Sequence, residues 1–170
     1  MNRQKARAYI LDTTAIQSGQ TLEKLLCYMR NRSVILVFGL LLMLFFGAFV
    51  THDAHILWII ASLAALLLVA ISAAVTFKRN KYLVHSYTFT KTTTIAPRKF
   101  NYVAGWGTLA GVGGMFLMRT LGSISYDMMV IISVVGTMPI LVLFTNIACT
   151  AQYKLYLLRK YCPEIKNVKG

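Results

Sequence analysis

The sequence predicts an all-α integral membrane protein with four transmembrane helices, arranged as two short hairpins with both termini in the cytoplasm. Three observations lead to this fold class. Of the 170 residues 57% are hydrophobic and only 14% are charged, whereas about a quarter of the residues of a soluble domain are charged. The apolar residues form continuous blocks, and the basic residues collect in the segments on one side of those blocks.

Residues 1–33 form a polar segment that we expect to lie in the cytoplasm. Within it, residues 21–32 (TLEKLLCYMRNR) predict an amphipathic helix that leads into the first span. Its apolar residues recur at helical spacing: Leu22, Leu25, Leu26 and Met29. Two interpretations of this apolar face stay open, a helix lying on the inner leaflet and a docking surface for a partner protein. The segment is too long for an ordinary signal-peptide n-region, so we interpret the first span as an uncleaved anchor.

The membrane domain is predicted to cover residues 34–149. A bilayer core of about 30 Å needs roughly 20 helical residues, and the shorter blocks are extended by flanking basic side chains that reach the interface. The blocks are continuous rather than alternating, which excludes membrane strands. The four predicted spans cover residues 34–50, 56–77, 102–118 and 128–149.

The basic residues predict the orientation. The N-terminal segment, the central loop 78–101 and the basic tail 150–170 together contain 17 of the 18 Lys and Arg residues. The positive-inside rule therefore places all three in the cytoplasm. The rule holds in a bacterial inner membrane and, less strictly, in the endoplasmic reticulum; we expect the bacterial inner membrane because the chain is small and compact. The same charges predict attraction to anionic lipid headgroups. Because they are scattered over three segments, no nucleic-acid partner is expected.

The central loop is long for a simple connection. It is therefore either a contact surface for another protein or a solvated loop that fixes topology. The three cysteines fall on or near the reducing cytoplasmic side, so no structural disulfide is expected.

The third block predicts close helix packing. In VAGWGTLAGVGGM the small residues are spaced four apart, which lets helix backbones approach closely in a bilayer. The residues that form these pairs are Gly107 with Gly111 and Ala110 with Gly114. The segment lacks the lysine and the preceding strand of a nucleotide-binding loop.

The fourth block carries a proline and a polar cluster. Pro139 lies in its interior, where it frees the carbonyl four residues earlier and predicts a kink. Near the inner end, Thr145 and Asn146, with Thr150 and Gln152, predict hydrogen bonds to another helix.

Chemistry-bearing groups are sparse. His52, Asp53 and His55 are the one cluster with metal-ligand character, but an exposed turn enforces little geometry, so we expect a polar turn and no metal or cofactor. No ionisable residue lies in the middle of a predicted span, which disfavours charge-coupled transport. No catalytic set is visible, so an enzyme is not expected.

These features favour a non-enzymatic subunit or assembly factor of a larger membrane complex, such as secretion or transport machinery, with other membrane subunits as partners. The first alternative is a membrane immunity or regulatory protein against a pore-forming toxin. In span number, termini and length the chain resembles the immunity proteins of some pore-forming colicins, an analogy of architecture only. The second alternative is a small oligomeric channel or transporter.

Overall fold

The structure, a computed structural model, describes residues 3–12, 21–50, 55–85, 111, 114, 118, 121–122 and 125–167. Its secondary structure is helical, with no strand among the described residues. The elements are α1 (Arg3–Asp12), α2 (Leu22–Val50), α3 (His55–His85) and α4 (Tyr126–Tyr161), followed by a 3₁₀ turn at Pro163–Ile165.

Three of these helices are long and apolar enough to cross a membrane. The stretches concerned are Leu22–Gly47, Ile56–His85 and Ile131–Tyr161. The prediction of an all-α membrane protein is confirmed at this level, and three of the four predicted spans lie within described helices. The remaining span, 102–118, lies outside the described residues except for Gly111, Gly114 and Met118, each of which is helical.

The helices extend well beyond the predicted spans. The amphipathic segment 21–32 and the first span form one continuous helix, α2. The predicted loop 78–101 begins as helix, because α3 continues to His85, and the tail 150–170 begins as the last part of α4. Hydropathy identifies the apolar stretch of a helix that is able to cross a membrane. The helix itself is held by backbone hydrogen bonds and continues into polar sequence until a residue such as Pro163 ends it.

Helices α3 and α4 run parallel, and α2 runs antiparallel to both. Side-chain hydrogen bonds join Ser72 to Asn146 and Asn80 to Thr150, so residue numbers rise in the same direction along α3 and α4. Between α2 and α4 the order is reversed, since Glu23 contacts Arg159 and Arg30 contacts Gln152.

The start of α2 and the ends of α3 and α4 therefore share one end of the bundle. We call it the basic end because exposed cations crowd it: Arg7, Lys24, Arg32, Lys78, Arg79, Lys81, Arg159 and Lys160.

Helix α1 covers the basic end. Ala6, Tyr9 and Ile10 are buried in an apolar cluster with Leu22 and Leu26 of α2. The same cluster contains residues from the ends of α3 and α4: Val84, Tyr153, Leu155, Leu157 and Leu158. The apolar face of residues 21–32 is thus covered by the protein itself, which neither interpretation of the sequence included. The spacing of Ala6, Tyr9 and Ile10 at i, i+3 and i+4 is the signal that could have revealed α1.

Gly47 of α2 lies directly against Trp58 of α3. A Cβ atom added there would lie 2.7 Å from Cδ2 of Trp58, a side chain that is fully buried. Only glycine leaves room for the indole at this crossing. Small residues that admit a neighbouring helix are the usual means of tight packing in membranes, where apolar burial adds little between helices.

The substitution Gly47→Ala is expected to destabilise the bundle by about 1–3 kcal/mol, because the methyl group overpacks the Trp58 contact. Gly39→Ala is the matched control on the same helix, since no described atom lies within 4 Å of its Cβ position. There the usual helix preference of alanine over glycine, about 1 kcal/mol, should leave stability unchanged or raised. Thermal unfolding in detergent measures both, and equal shifts for the two variants would contradict the contact.

Candidate functional site

A row of polar side chains lies between α3 and α4. We call it the polar seam and define it as Ser72, Thr76 and Asn80 of α3 with Asn146 and Thr150 of α4. The three α3 residues are four apart, which places them on one helix face, and all three are buried. Buried polar groups of a membrane helix need hydrogen-bond partners within the protein, because lipid offers none.

Asn146 joins the two helices at the centre of the seam. Ser72 Oγ donates to Asn146 Oδ1 over 3.1 Å, and Thr76 Oγ1 donates to the same oxygen. A carbonyl oxygen has two lone pairs, so it can accept both hydroxyls at once. One amide thereby satisfies two buried donors of the facing helix.

Asn80 extends the seam to α1. Its Nδ2 donates to Thr150 Oγ1 over 3.2 Å, and its Oδ1 accepts from the hydroxyl of Tyr9 over 3.1 Å. The ammonium group of the buried Lys154 lies 5.5 Å from the centre of the Tyr9 ring, within the range of a cation–π contact. Tyr9 therefore connects α1 to both α3 and α4.

The other buried hydroxyls do not extend the seam. Ser62 bonds to the Trp58 carbonyl, and Thr137 bonds to the Ser133 carbonyl; both bonds stay within one helix. Ser33 Oγ and Thr145 Oγ1 are buried and have no hydrogen-bond partner among the described residues. Of the two residues singled out for polar helix contacts, the structure brings Asn146 to α3 and leaves Thr145 without such a bond.

The predicted helix kink at Pro139 concerns the middle of α4. Pro139 lies inside α4, which continues through it. The nearby Thr137 hydroxyl bonds to Ser133 O rather than to the carbonyl of Val135 that the proline leaves free.

Gly111 and Gly114 are helical, with no described atom within 4 Å of either Cβ position. Gly107 and Ala110 lie outside the described residues. So do His52 and Asp53, while His55 begins α3. In the described part of the chain no group of three His, Cys, Asp or Glu side chains could hold a metal ion.

One ion pair and two hydrogen bonds hold α1 at the basic end. Arg3 Nη2 lies 2.8 Å from Glu164 Oε2. Lys5 Nζ donates to the carbonyl of His85 over 3.1 Å. The thiol of Cys162 donates to the Arg3 carbonyl over 3.8 Å. Two of these contacts join α1 to the C-terminal turn after α4, and the third joins it to the end of α3.

The pKa values of the Glu164 carboxyl and the Cys162 thiol are both shifted from their usual values. The hydrogen bond and the positive charge of Arg3 lower the pKa of the Glu164 carboxyl below its usual 4.5. Burial raises the pKa of the Cys162 thiol, so the sulfur stays protonated and remains a donor. The seam itself contains only amides and hydroxyls, so it can join helices but cannot exchange protons near neutral pH.

The chain matches no protein-family model, and neither curated proteins nor solved structures gave a match.

Docking of α1 is expected to weaken in acid. A carboxyl with a lowered pKa adds stability that is fully present above its ordinary pKa of 4.5 and is lost as pH falls through the lowered value. Hydrogen exchange of the α1 amides, corrected for intrinsic rates, should therefore accelerate below about pH 4.5 in the wild type. The variant Glu164→Gln should exchange faster at neutral pH and show little of this pH dependence. An identical pH profile in both proteins would contradict the role of the Arg3–Glu164 pair.

Proposed function

We propose that the protein is a non-enzymatic subunit or assembly factor of a larger membrane complex, such as secretion or transport machinery. The observation that carries the proposal is the use of the seam's polar groups. The side chains of Asn146 and Asn80 hydrogen-bond to neighbouring helices, as in a helix-packing element. Because these polar residues bind the protein's own helices together, we infer that the protein contacts partner subunits through its outer surface.

That outer surface is large and apolar. In the apolar windows of α2, α3 and α4, only 22% to 28% of the residues are buried within the described structure. Lipid covers such a surface by default, and partner helices can replace lipid where small residues allow close approach. Gly111, exposed and helical, supports such a contact at the third predicted span.

Four spans, with the basic end in the cytoplasm, form the topology that we propose. Because α3 and α4 are parallel, residues 86–125 connect opposite ends of the bundle, and the apolar stretch 102–118 supplies the crossing. The cations crowded at one end then satisfy the positive-inside rule with both termini in the cytoplasm. We propose the bacterial inner membrane as the location because the chain is small and compact.

Sidedness is tested by single cysteines in a chain whose native Cys27, Cys149 and Cys162 are replaced. Lys81→Cys at the basic end should react with a membrane-impermeant maleimide only after the cytoplasmic face is opened. Ser125→Cys, just before α4, should react in intact cells. Labelling of both positions from the same side would contradict the proposed topology.

The subunit proposal is tested by extraction at native expression in a mild detergent, followed by sizing and identification of co-purifying proteins. Partners at fixed ratio in a large particle are expected. Gly111→Leu should remove them because the larger side chain blocks close approach, whereas Gly136→Leu, exposed on α4 with no described atom within 4 Å of its Cβ position, should not.

A lone monomer or homo-oligomer would contradict the subunit proposal. It would favour the two alternatives, an immunity protein and a channel or transporter, which two further assays distinguish. An immunity protein protects cells against its toxin when it is expressed alone, and a channel carries solute flux in liposomes.

A further inference from the structure

We propose that a groove at the basic end binds the phosphate group of an anionic phospholipid of the adjacent leaflet. The groove encloses about 360 Å³ on the last turns of α4. It is lined by Gln152, Leu155, Tyr156, Arg159 and Lys160. This site is independent of whether the protein belongs to a complex, since it requires only the membrane and the basic end.

The hydrogen bonds already made around the groove leave it lined with donors. Arg30 Nη1 donates to Gln152 Oε1 over 3.1 Å. A guanidinium can only donate, so the Gln152 oxygen is the atom engaged and its N–H₂ group is left to donate. Likewise Lys160 Nζ donates to the Tyr156 hydroxyl oxygen over 3.0 Å, which leaves the O–H of Tyr156 as a donor.

The charge at the groove is also unbalanced. Glu23 is the described carboxylate that pairs with a groove residue, and it is shared by Arg159 at 3.0 Å and Lys166 at 2.9 Å. Lys160 and Arg30 contact no described carboxylate. A donor-rich, cationic groove fits an acceptor-only anion, and phosphate is the acceptor-only anion of the membrane interface.

The surroundings favour a lipid over a soluble phosphate. Tyr156 is 48% exposed at the end of a membrane-spanning stretch, where tyrosine is enriched at headgroup level. One turn further along α2 from Arg30, Val34 is 51% exposed and offers an apolar surface to an acyl chain. A headgroup at the groove and a chain along α2 can therefore belong to one molecule.

Native mass spectrometry of the purified protein tests the site, with phosphatidylglycerol and phosphatidylcholine as the probes. We expect retention of one phosphatidylglycerol in preference to phosphatidylcholine. Lys160→Gln should weaken that retention about fivefold, as is typical for one cation near a lipid surface. The double variant Tyr156→Phe, Lys160→Gln should weaken it further, and Lys160→Arg should retain it.

Lys81→Gln is the charge-matched control, because it removes an exposed cation from the same end without touching the groove. An equal loss in this control would overturn the site in favour of diffuse attraction. Equal retention of both lipids would overturn it as well. Displacement of the lipid by millimolar inorganic phosphate or glycerol phosphate would assign the groove to a soluble phosphate and overturn the proposal that its ligand is a lipid. Unchanged thermal unfolding of each variant shows that loss of lipid is not loss of fold.

Discussion

The amide of Asn146, which accepts two hydroxyls from α3, is the interaction on which the arrangement of the helices depends. In a bilayer, apolar side chains gain little by leaving lipid for another helix, so close packing and hydrogen bonds select neighbours. Ser72 and Thr76 find their acceptor on α4, and Asn80 finds its own one turn further along, at Thr150. This order sets α3 and α4 parallel and brings their last turns to the same end.

Exposed cations collect at that end of the bundle. The hydroxyl of Tyr9 joins α1 to the seam through Asn80. The Arg3–Glu164 ion pair and the hydrogen bond from Lys5 to the His85 carbonyl hold α1 over the apolar ends of the other helices. The neutral seam joins helices and exposed cations lie at one end, so packing and charge occupy separate parts of the described chain. Such a division suits a subunit that is anchored at one leaflet and contacts partners through its spans, as we propose.

Hydropathy and the positive charges were enough to predict the all-helical membrane class, because both follow from composition along the chain. Contacts that depend on how a helix is rotated were not predictable in the same way. Thr145 and Asn146 are adjacent in sequence, yet only Asn146 bonds to α3. Gly47 has no small residue four positions before it, and its role appears only because Trp58 lies opposite. Helix α1 is short and half of its residues are polar, so the spacing of its three buried residues is a weak sequence signal for a helix. Their burial depends on the cluster formed by the ends of the other helices.

A double-mutant cycle between Thr76 and Asn146 tests the seam most directly. The free energy of unfolding in mixed micelles is measured for Thr76→Ala, Asn146→Ala and the double variant. We predict a coupling of about 0.6 kcal/mol, with about 1.7 kcal/mol as the upper end for hydrogen bonds between membrane helices. Ser62→Ala combined with Asn146→Ala is the control and should show no coupling, because the Ser62 hydroxyl bonds within its own helix. A Thr76–Asn146 coupling no larger than this control would contradict the claim that the seam holds α3 and α4 together.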